Sequence, residues 1–272
     1  MTDLSLIRLI AIDMDGTLLS PERRLTPEAV QAVDRAHRAG LTIALASGRA
    51  QLSLRPFALE LDIVGPLICS NGAHVLGADG RELAHIPVPT SAREIILDFA
   101  VDNGLHLNAY TRDELLFLDD SPWGNEYQRR LRSITPRMAS RAEILTIALS
   151  KLMLVGEPDQ IPWARRELES RLAPNSVRIT ESEPEYLEFL ALDADKSIGL
   201  ATVAASLGVR PEETAAIGDY LNDVEMLRWV GFSGAMANAH DEVKRIADVI
   251  VSSNEEAGVP QFLNMIVDAR RA

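Results

Sequence analysis

LIRLIAIDMDGTLLS, residues 6–20, runs from an apolar stretch directly into two aspartates, Asp13 and Asp15, separated by one methionine. Leu6, Ile7, Leu9, Ile10, Ala11 and Ile12 form a short run rich in branched side chains and closed by Asp and Gly. That is the pattern of a strand buried on both faces of a parallel sheet. In such sheets ligands sit beyond the carboxyl ends of the strands, so both acids leave the sheet where a ligand would lie. Two carboxylates about 4 Å apart repel by about 4 kcal/mol at an effective dielectric of about 20. The placement therefore calls for an offset: a raised pKa, a neighbouring lysine or a bound cation.

Outward from this strand the chain alternates. LTPEAVQAVDRAHRAG has Thr26 as N-cap, Pro27 at the first helical position, Glu28 in the first turn and Gly40 past the end, which predicts a helix. LTIALAS (41–47) repeats the buried-strand pattern, RAQLSLRPFALEL reads as partly helical, and PLICSNGAHVL (66–76) gives a third apolar run. Strand, helix, strand, helix, strand predicts an α/β fold on a parallel sheet. At IPVPT (86–90) two prolines flank a valine and the rhythm stops, as in a linker. Helices and short paired strands follow: SAREIILDFAVDNG, LHLNAY, ELLFLDD, WGNEYQRRLR, SKLMLVG, PDQIPWARRELESRLA, SVRIT and YLEFLAL. Adjacent short strands pair antiparallel, so this block reads as an α+β insert with its own sheet.

From Ala194 the α/β rhythm returns through SIGLATVAASLG, ETAAIG, NDVEMLRWV, GFSGAMA, AHDEVKRIA, DVIVS and a final helix from Val259. The expected fold class is α/β: a Rossmann-like, doubly wound parallel sheet core built from 1–86 and 191–272, with an inserted α+β cap domain at 87–190.

The 272 residues suffice for such a core and insert, and 47% hydrophobic with 25% charged residues is the balance of a globular protein. A formal charge of -13 argues against nucleic acid or an anionic membrane as partner, while leaving room for a small anion in a locally positive pocket. The single cysteine, Cys69, lies in the apolar run PLIC and reads as a buried hydrophobe, which fits a reducing cytoplasm. No basic leader or long apolar span is visible, so a cytoplasmic location is expected; oligomeric state is not legible.

The last residues of the proposed core strands are Asp13-Met14-Asp15, Ser47-Gly48-Arg49, Ser70-Asn71-Gly72 and Gly218-Asp219, with Asn222-Asp223 just beyond. Parallel strands bring these ends side by side. Oxygen ligands with few carboxylates suit Mg²⁺, which keeps waters and takes a substrate phosphate oxygen. Gly16-Thr17 and Ser47-Gly48 offer hydroxyls and turn N–H groups for phosphate. With metal and phosphate in place, Asp13 at the strand end is the candidate nucleophile, forming an aspartyl-phosphate. Asp15 would then protonate the leaving oxygen and later deprotonate water, and Lys196 would neutralise charge at the phosphoryl group.

Together these residues form a resemblance. DMDGT at 13–17, ASGR at 46–49, SNGA at 70–73, DKSIGL at 195–200, GDYLNDVEML at 218–227 and AMANAHDEVKRIAD at 235–248 resemble the ordered motifs of the haloacid dehalogenase superfamily. The motif order and mid-chain insert are similar to its Cof-type sugar-phosphatase branch. The resemblance implies Asp13 as nucleophile, Asp15 as acid/base, and Mg²⁺ on the Asp13 carboxylate, the Asp15 carbonyl and Asp219, with Asp223 supporting the metal shell. It further implies phosphate held by the backbone of Met14, by Ser47 and Gly48, and by Lys196 and Asn222. The implied activity is a Mg²⁺-dependent phosphomonoester hydrolase for a small phosphorylated metabolite, with the insert closing over the site. Ser197 and Ala237 stand where the family usually has glycine, which bears on local backbone geometry.

Blander roles compete with these. Asp13 and Asp15 could both cap N–H groups at a turn, though one acid would suffice. Gly218-Asp219 could be a turn and N-cap, Arg49 a structural ion-pair residue, and Asn71 either a turn stabiliser or a substrate contact. The five histidines are scattered without ligand spacing, which speaks against zinc. Tyr110, Trp123 and Tyr127 read as packing residues. Two rival functions share the motifs: a phosphomutase, and a non-catalytic phosphometabolite-binding regulator.

Overall fold

Strand β1 (Leu9–Asp13) is buried at all five positions, as a run flanked on both faces by other elements requires. A computed structural model describes residues 3–130, 134–181 and 183–271 of the chain. After β1 come α1 (Pro27–Arg38), β2 (Thr42–Ala46), α2 (Gln51–Glu60), β3 (Leu67–Cys69), β4 (His74–Leu76) and β5 (Glu82–His85). The middle block holds α3 (Thr90–Asn103), β6 (His106–Tyr110), β7 (Leu115–Phe117), α4 (Pro122–Arg130), β8 (Arg137–Met138) and α5 (Arg141–Thr146). It continues with β9 (Lys151–Val155), α6 (Gln160–Arg171), β10 (Val177–Thr180) and β11 (Tyr186–Ala191). The chain ends in α7 (Lys196–Leu207), β12 (Thr214–Gly218), α8 (Val224–Trp229), β13 (Phe232–Met236), α9 (Asp241–Ile246), β14 (Val249–Val251) and α10 (Gly258–Ala269).

Two compact units result. One holds the residues up to Arg49, Leu54–Ala84 and those from Asp195 on; the other holds Ala50–Ser53 and His85–Ala194. The first is built on an eight-stranded sheet in the order β14-β13-β12-β1-β2-β3-β4-β5. β1 pairs in parallel with β12 on one side and β2 on the other, with Ile12 level with Ile217 and Asp13 level with Ala46. This register brings the carboxyl ends of β1, β2 and β12 to one edge, so residues about 200 apart in sequence become neighbours. Thr26 caps α1 by accepting from the Ala29 N–H at 3.2 Å, as its position in the sequence predicts.

The third apolar run differs from its sequence reading. Residues 66–76 are not one strand: β4 turns back antiparallel to β3, with Ile68 level with Val75. Ser70, Asn71 and Gly72 adopt φ of 48°, 51° and 91°, and three successive left-handed residues reverse the chain. A Cβ on Gly72 would lie 2.1 Å from the Asp195 carbonyl oxygen, so the close approach of α7 also demands glycine there.

The second unit carries a six-stranded sheet in the order β10-β11-β9-β6-β7-β8, antiparallel except where β8 joins β7 in parallel. β8 and α5 are absent from the sequence reading because two exposed residues and one six-residue helix are too short to show a period. One sheet face presents Leu107, Ala109, Leu152, Leu154, Leu187 and Phe189 to an apolar core shared with Ile96 and Phe99 of α3 and Ile161 and Leu168 of α6. The other face carries Tyr110, Met153 and Tyr186, with Trp123 and Tyr127 of α4 packed on them. Among the described residues no helix is long and apolar enough to cross a membrane.

Candidate active site

The carboxyl edge of the core sheet gathers the acids that the sequence places far apart. Asp13 ends β1 and is 5% exposed. Lys196, the first residue of α7 and 1% exposed, donates from Nζ to Asp13 Oδ1 at 2.6 Å and to Asp223 Oδ1 at 2.6 Å. Asp195 caps the same helix by accepting from the Ser197 N–H at 2.8 Å, which fixes the lysine's starting point. Ser197 and Ala237 both avoid positive φ, so neither departure from glycine strains the backbone.

Asp223 is fully buried, and its second oxygen accepts from the backbone N–H groups of Asp219 and Tyr220 at 3.0 and 3.1 Å. Gly218 makes this fold-back possible, since a Cβ there would sit 2.5 Å from the Asp223 carboxyl carbon. Asp219 accepts at Oδ1 from the Thr17 hydroxyl at 2.8 Å. Thr17, read from sequence as a phosphate-holding hydroxyl, is 1% exposed and spends its donor on Asp219 instead. Its role is to set the acid across the sheet edge.

Asp15, two residues after Asp13, points elsewhere. Its two oxygens accept from Arg49 Nε and Nη2, each at 2.6 Å, a bidentate pair. The Arg49 N–H in turn donates to Ser47 Oγ at 3.1 Å. Met14, between the acids, buries its side chain completely, and its carbonyl accepts from the Leu19 N–H at 2.9 Å. Asn71 and Asn222 meet directly: Asn222 Nδ2 donates to Asn71 Oδ1 at 3.0 Å. A Cβ on Gly48 would come within 3.4 Å of the Asn71 amide, so Gly48 lies alongside it. Cys69 is buried one residue before this turn, and burial pushes its thiol up to about 12.

The electrostatics are unbalanced. Asp13, Asp219 and Asp223 place carboxylate oxygens within 4.8 Å of one another, and Lys196 is the ammonium among them. Three carboxylates against one lysine leave two formal negative charges over. Burial raises Asp13 well above the usual carboxylate range; Lys196 draws it back, and Asp223 and Asp219 add to the rise. Burial and then Asp223 push Asp219 up to about 6, against the Thr17 hydrogen bond. Burial would lower Lys196, but Asp13 and Asp223 outweigh it and hold the ammonium above the ordinary lysine range. At Asp15 burial is again the largest single influence and raises it, yet the Arg49 hydrogen bonds and charge together hold it below the usual value.

A divalent cation fits this donor set. It matches the residual charge, and hard oxygen ligands are what such ions take. Asp13 and Asp15 are thus offset differently: Lys196 and a donor set suited to a divalent cation lie at Asp13, and Arg49 lies at Asp15. The reading of Arg49 as a structural ion-pair residue holds, with Asp15 as the partner it did not name, while the Thr17 to Asp219 contact escaped the sequence reading. The only signal for the Asp15 partner was the position of Arg49 two residues beyond Ser47 at a strand end.

Comparison with known proteins gives one consistent result. The sequence profile described as haloacid dehalogenase-like hydrolase matches residues 10–263. The 5-amino-6-(5-phospho-D-ribitylamino)uracil phosphatase of Bacillus subtilis is 31% identical over 258 residues, covering 94% of both chains. The pyridoxal phosphate phosphatase of Escherichia coli is 25% identical, covering 94% of this chain and 97% of its own. Among solved structures, a haloacid dehalogenase-like hydrolase from Bacteroides thetaiotaomicron superposes with a TM-score of 0.87 at 26% identity, covering 96% and 99% of the two chains.

Proposed function

Because the chain belongs to the haloacid dehalogenase-like hydrolases, we propose that it is a Mg²⁺-dependent phosphomonoesterase for a small phosphorylated metabolite, working through an aspartyl-phosphate. The observation that carries this reading is the Asp13, Lys196, Asp219 and Asp223 cluster at one strand edge, with Asp15 two residues from the nucleophile. A pure binding protein has no need of a second acid at that spacing. The relatives' phosphorylated ribitylaminouracil and pyridoxal suggest a compact phosphate ester as substrate class.

Lys196 occupies Asp13 Oδ1, which leaves Oδ2 to attack phosphorus. The lysine also counters charge as the phosphoryl group arrives. Asp13, Asp219 and the Asp15 carbonyl would hold Mg²⁺, with Asp223 fixing the Asp219 loop through its N–H groups. When bound, the ion supplies charge neutralisation at the transferring phosphoryl group. Met14 N–H, Ser47, Gly48 and Asn222 would hold phosphate oxygens, with Asn71 orienting the Asn222 amide. Asp15 delivers a proton to the leaving oxygen and then takes one from water, which requires release from Arg49 during turnover.

The insert at 87–190 has its own sheet and core, and we assign it the choice of leaving group, as a cap domain. An acidic surface and one buried cysteine favour a cytoplasmic enzyme without a nucleic-acid partner. A screen of phosphorylated metabolites with Mg²⁺ tests the reading: free phosphate is expected, lost on chelation and in a folded Asp13→Asn variant. Isomerised ester without phosphate release would identify a phosphomutase instead. Tight ligand binding with no turnover of any ester would identify a regulator.

A further inference from the structure

The late motif AMANAHDEVKRIAD contributes no group to the chemistry proposed above. Its Asn238 stands just beyond β13, and Asn254 stands just beyond β14. Asn238 Nδ2 donates to the Gly16 carbonyl at 2.8 Å, and Asn254 Nδ2 donates to the Leu19 carbonyl at 2.8 Å. The Asn254 N–H donates to Asn238 Oδ1 at 3.1 Å. Two side-chain amides thus grip two carbonyls of the loop that follows the nucleophile, and the Asn254 backbone N–H ties the Asn238 amide to the second of these residues.

That loop has no clearance toward Asp219. Gly16 has φ +82°, and a Cβ on it would sit 2.3 Å from Asp219 Oδ2. Thr17 is bonded to the other oxygen of the same carboxylate. Asp219 is itself held from the Asn238 side, because the His240 N–H donates to the Asp219 carbonyl at 2.8 Å. One segment after β13 therefore fixes both loops whose spacing defines the acid cluster. Asn238 must donate through nitrogen and accept through oxygen at once, toward two backbone partners that fix the amide's orientation. A carboxylate of the same shape supplies no donor.

We propose that Asn238 and Asn254 are positioning residues: a coupled amide clamp that sets the 14–19 loop against Asp219, and so holds the metal and phosphate contacts in register. The link to catalysis rests on the phosphatase reading; the link to loop order does not. Asn238 is exposed, so replacing it opens no core cavity.

The test uses the full chain with Asn238→Asp, Asn238→Ala, Asn254→Asp and the Asn238→Ala/Asn254→Ala pair. Backbone hydrogen exchange of residues 15–19 is measured alongside thermal midpoint, and phosphate release from pyridoxal phosphate or p-nitrophenyl phosphate is followed with Mg²⁺. The expected result is faster exchange of the loop amides in every variant. Turnover is expected to fall on the order of ten- to a hundredfold, the range for outer-shell supports of metal sites, with KM moved far less than kcat. The double variant is expected to lose little more than the worse single one, because members of one unit are not additive. Unchanged loop exchange overturns the clamp, as does faster exchange with wild-type turnover, or an effect confined to the Asp variants, which would mark charge as the cause. If the wild-type protein releases no phosphate from any ester, the functional reading fails, and loop exchange alone then upholds or overturns the clamp.

Discussion

Each unit buries a lysine against a carboxylate, and the two lysines sit in different surroundings. In the insert, Lys151 on β9 donates to Glu188 Oε1 on β11 at 3.1 Å, both side chains 6% exposed, with the ammonium over the Tyr110 ring at 5.0 Å. In the core, Lys196 is shared between Asp13 and Asp223, with Asp219 alongside. A lysine and a glutamate bridging neighbouring strands, with an aromatic ring under the ammonium, form a contact that a fold can keep for its own register. One ammonium against three carboxylates is a site whose charge is completed from outside. The lesson is that a buried ion pair marks function through imbalance rather than through burial alone.

Removing each lysine in turn gives the largest expected contrast. Lys196→Met strips Asp13 and Asp223 of their common donor and is expected to abolish phosphate release, whereas Lys151→Met should leave the chemistry at Asp13 intact in whatever protein remains folded. Steady-state assays normalised to folded protein by circular dichroism make the comparison. Appreciable turnover by Lys196→Met would break it.

Stability sharpens the same contrast. Leaving Glu188 buried without Lys151 is expected to cost about 3–5 kcal/mol, while Lys151→Met combined with Glu188→Leu should be near neutral, as replacing a buried ion pair by apolar side chains often is. Urea titration of the single and double variants reads this directly. A double variant as unstable as the single would mean that the pair is not an isolated unit.

The third expectation concerns pH. Asp219 titrates at about 6 in the folded chain against 3.8 for an ordinary aspartate, so between those values the folded state holds more protons than the unfolded one. Stability of the metal-free protein should therefore fall as pH rises through about 4 to 6, the sign opposite to that of a salt-bridged carboxylate. Mg²⁺ at neutral pH should restore it, by about 2.7 kcal/mol at a hundredfold excess over Kd. Thermal midpoints with and without chelator check both, and an equal Mg²⁺ gain in Asp219→Asn would remove Asp219 from the metal site.

The smallest effect is expected at Cys69. With the thiol pushed up to about 12 by burial, the native protein should resist iodoacetamide at pH 8 and react only when unfolded. Rapid modification without loss of structure would contradict its place in the core.

Much of this was legible in one dimension. The LIAID run, the Thr26-Pro27 helix start and the returning rhythm after Ala194 are local patterns, and local patterns survive in sequence because side-chain period and capping act over a few residues. The acids at the strand ends were legible for the same reason, since parallel strands align their ends by rule. The turn at Ser70–Gly72 and the partners of Thr17 and Arg49 were not, because each depends on a neighbour that sequence order does not name, and β8 and α5 were too short to show a period.

By itself, then, the sequence determined the parallel strands at the centre of the core sheet, the α+β character of the middle block and the meeting of Asp13 with Asp219 and Asp223, through apolar period and strand-end position. Only the tertiary structure decided that Arg49 holds Asp15, that Thr17 sets Asp219 and that Asn238 and Asn254 grip the loop between them. The physical reason is range: hydrogen bonds between side chains such as Thr17 and Asp219, 202 residues apart, are fixed by ångström-scale register of packed elements, which no period along the chain encodes.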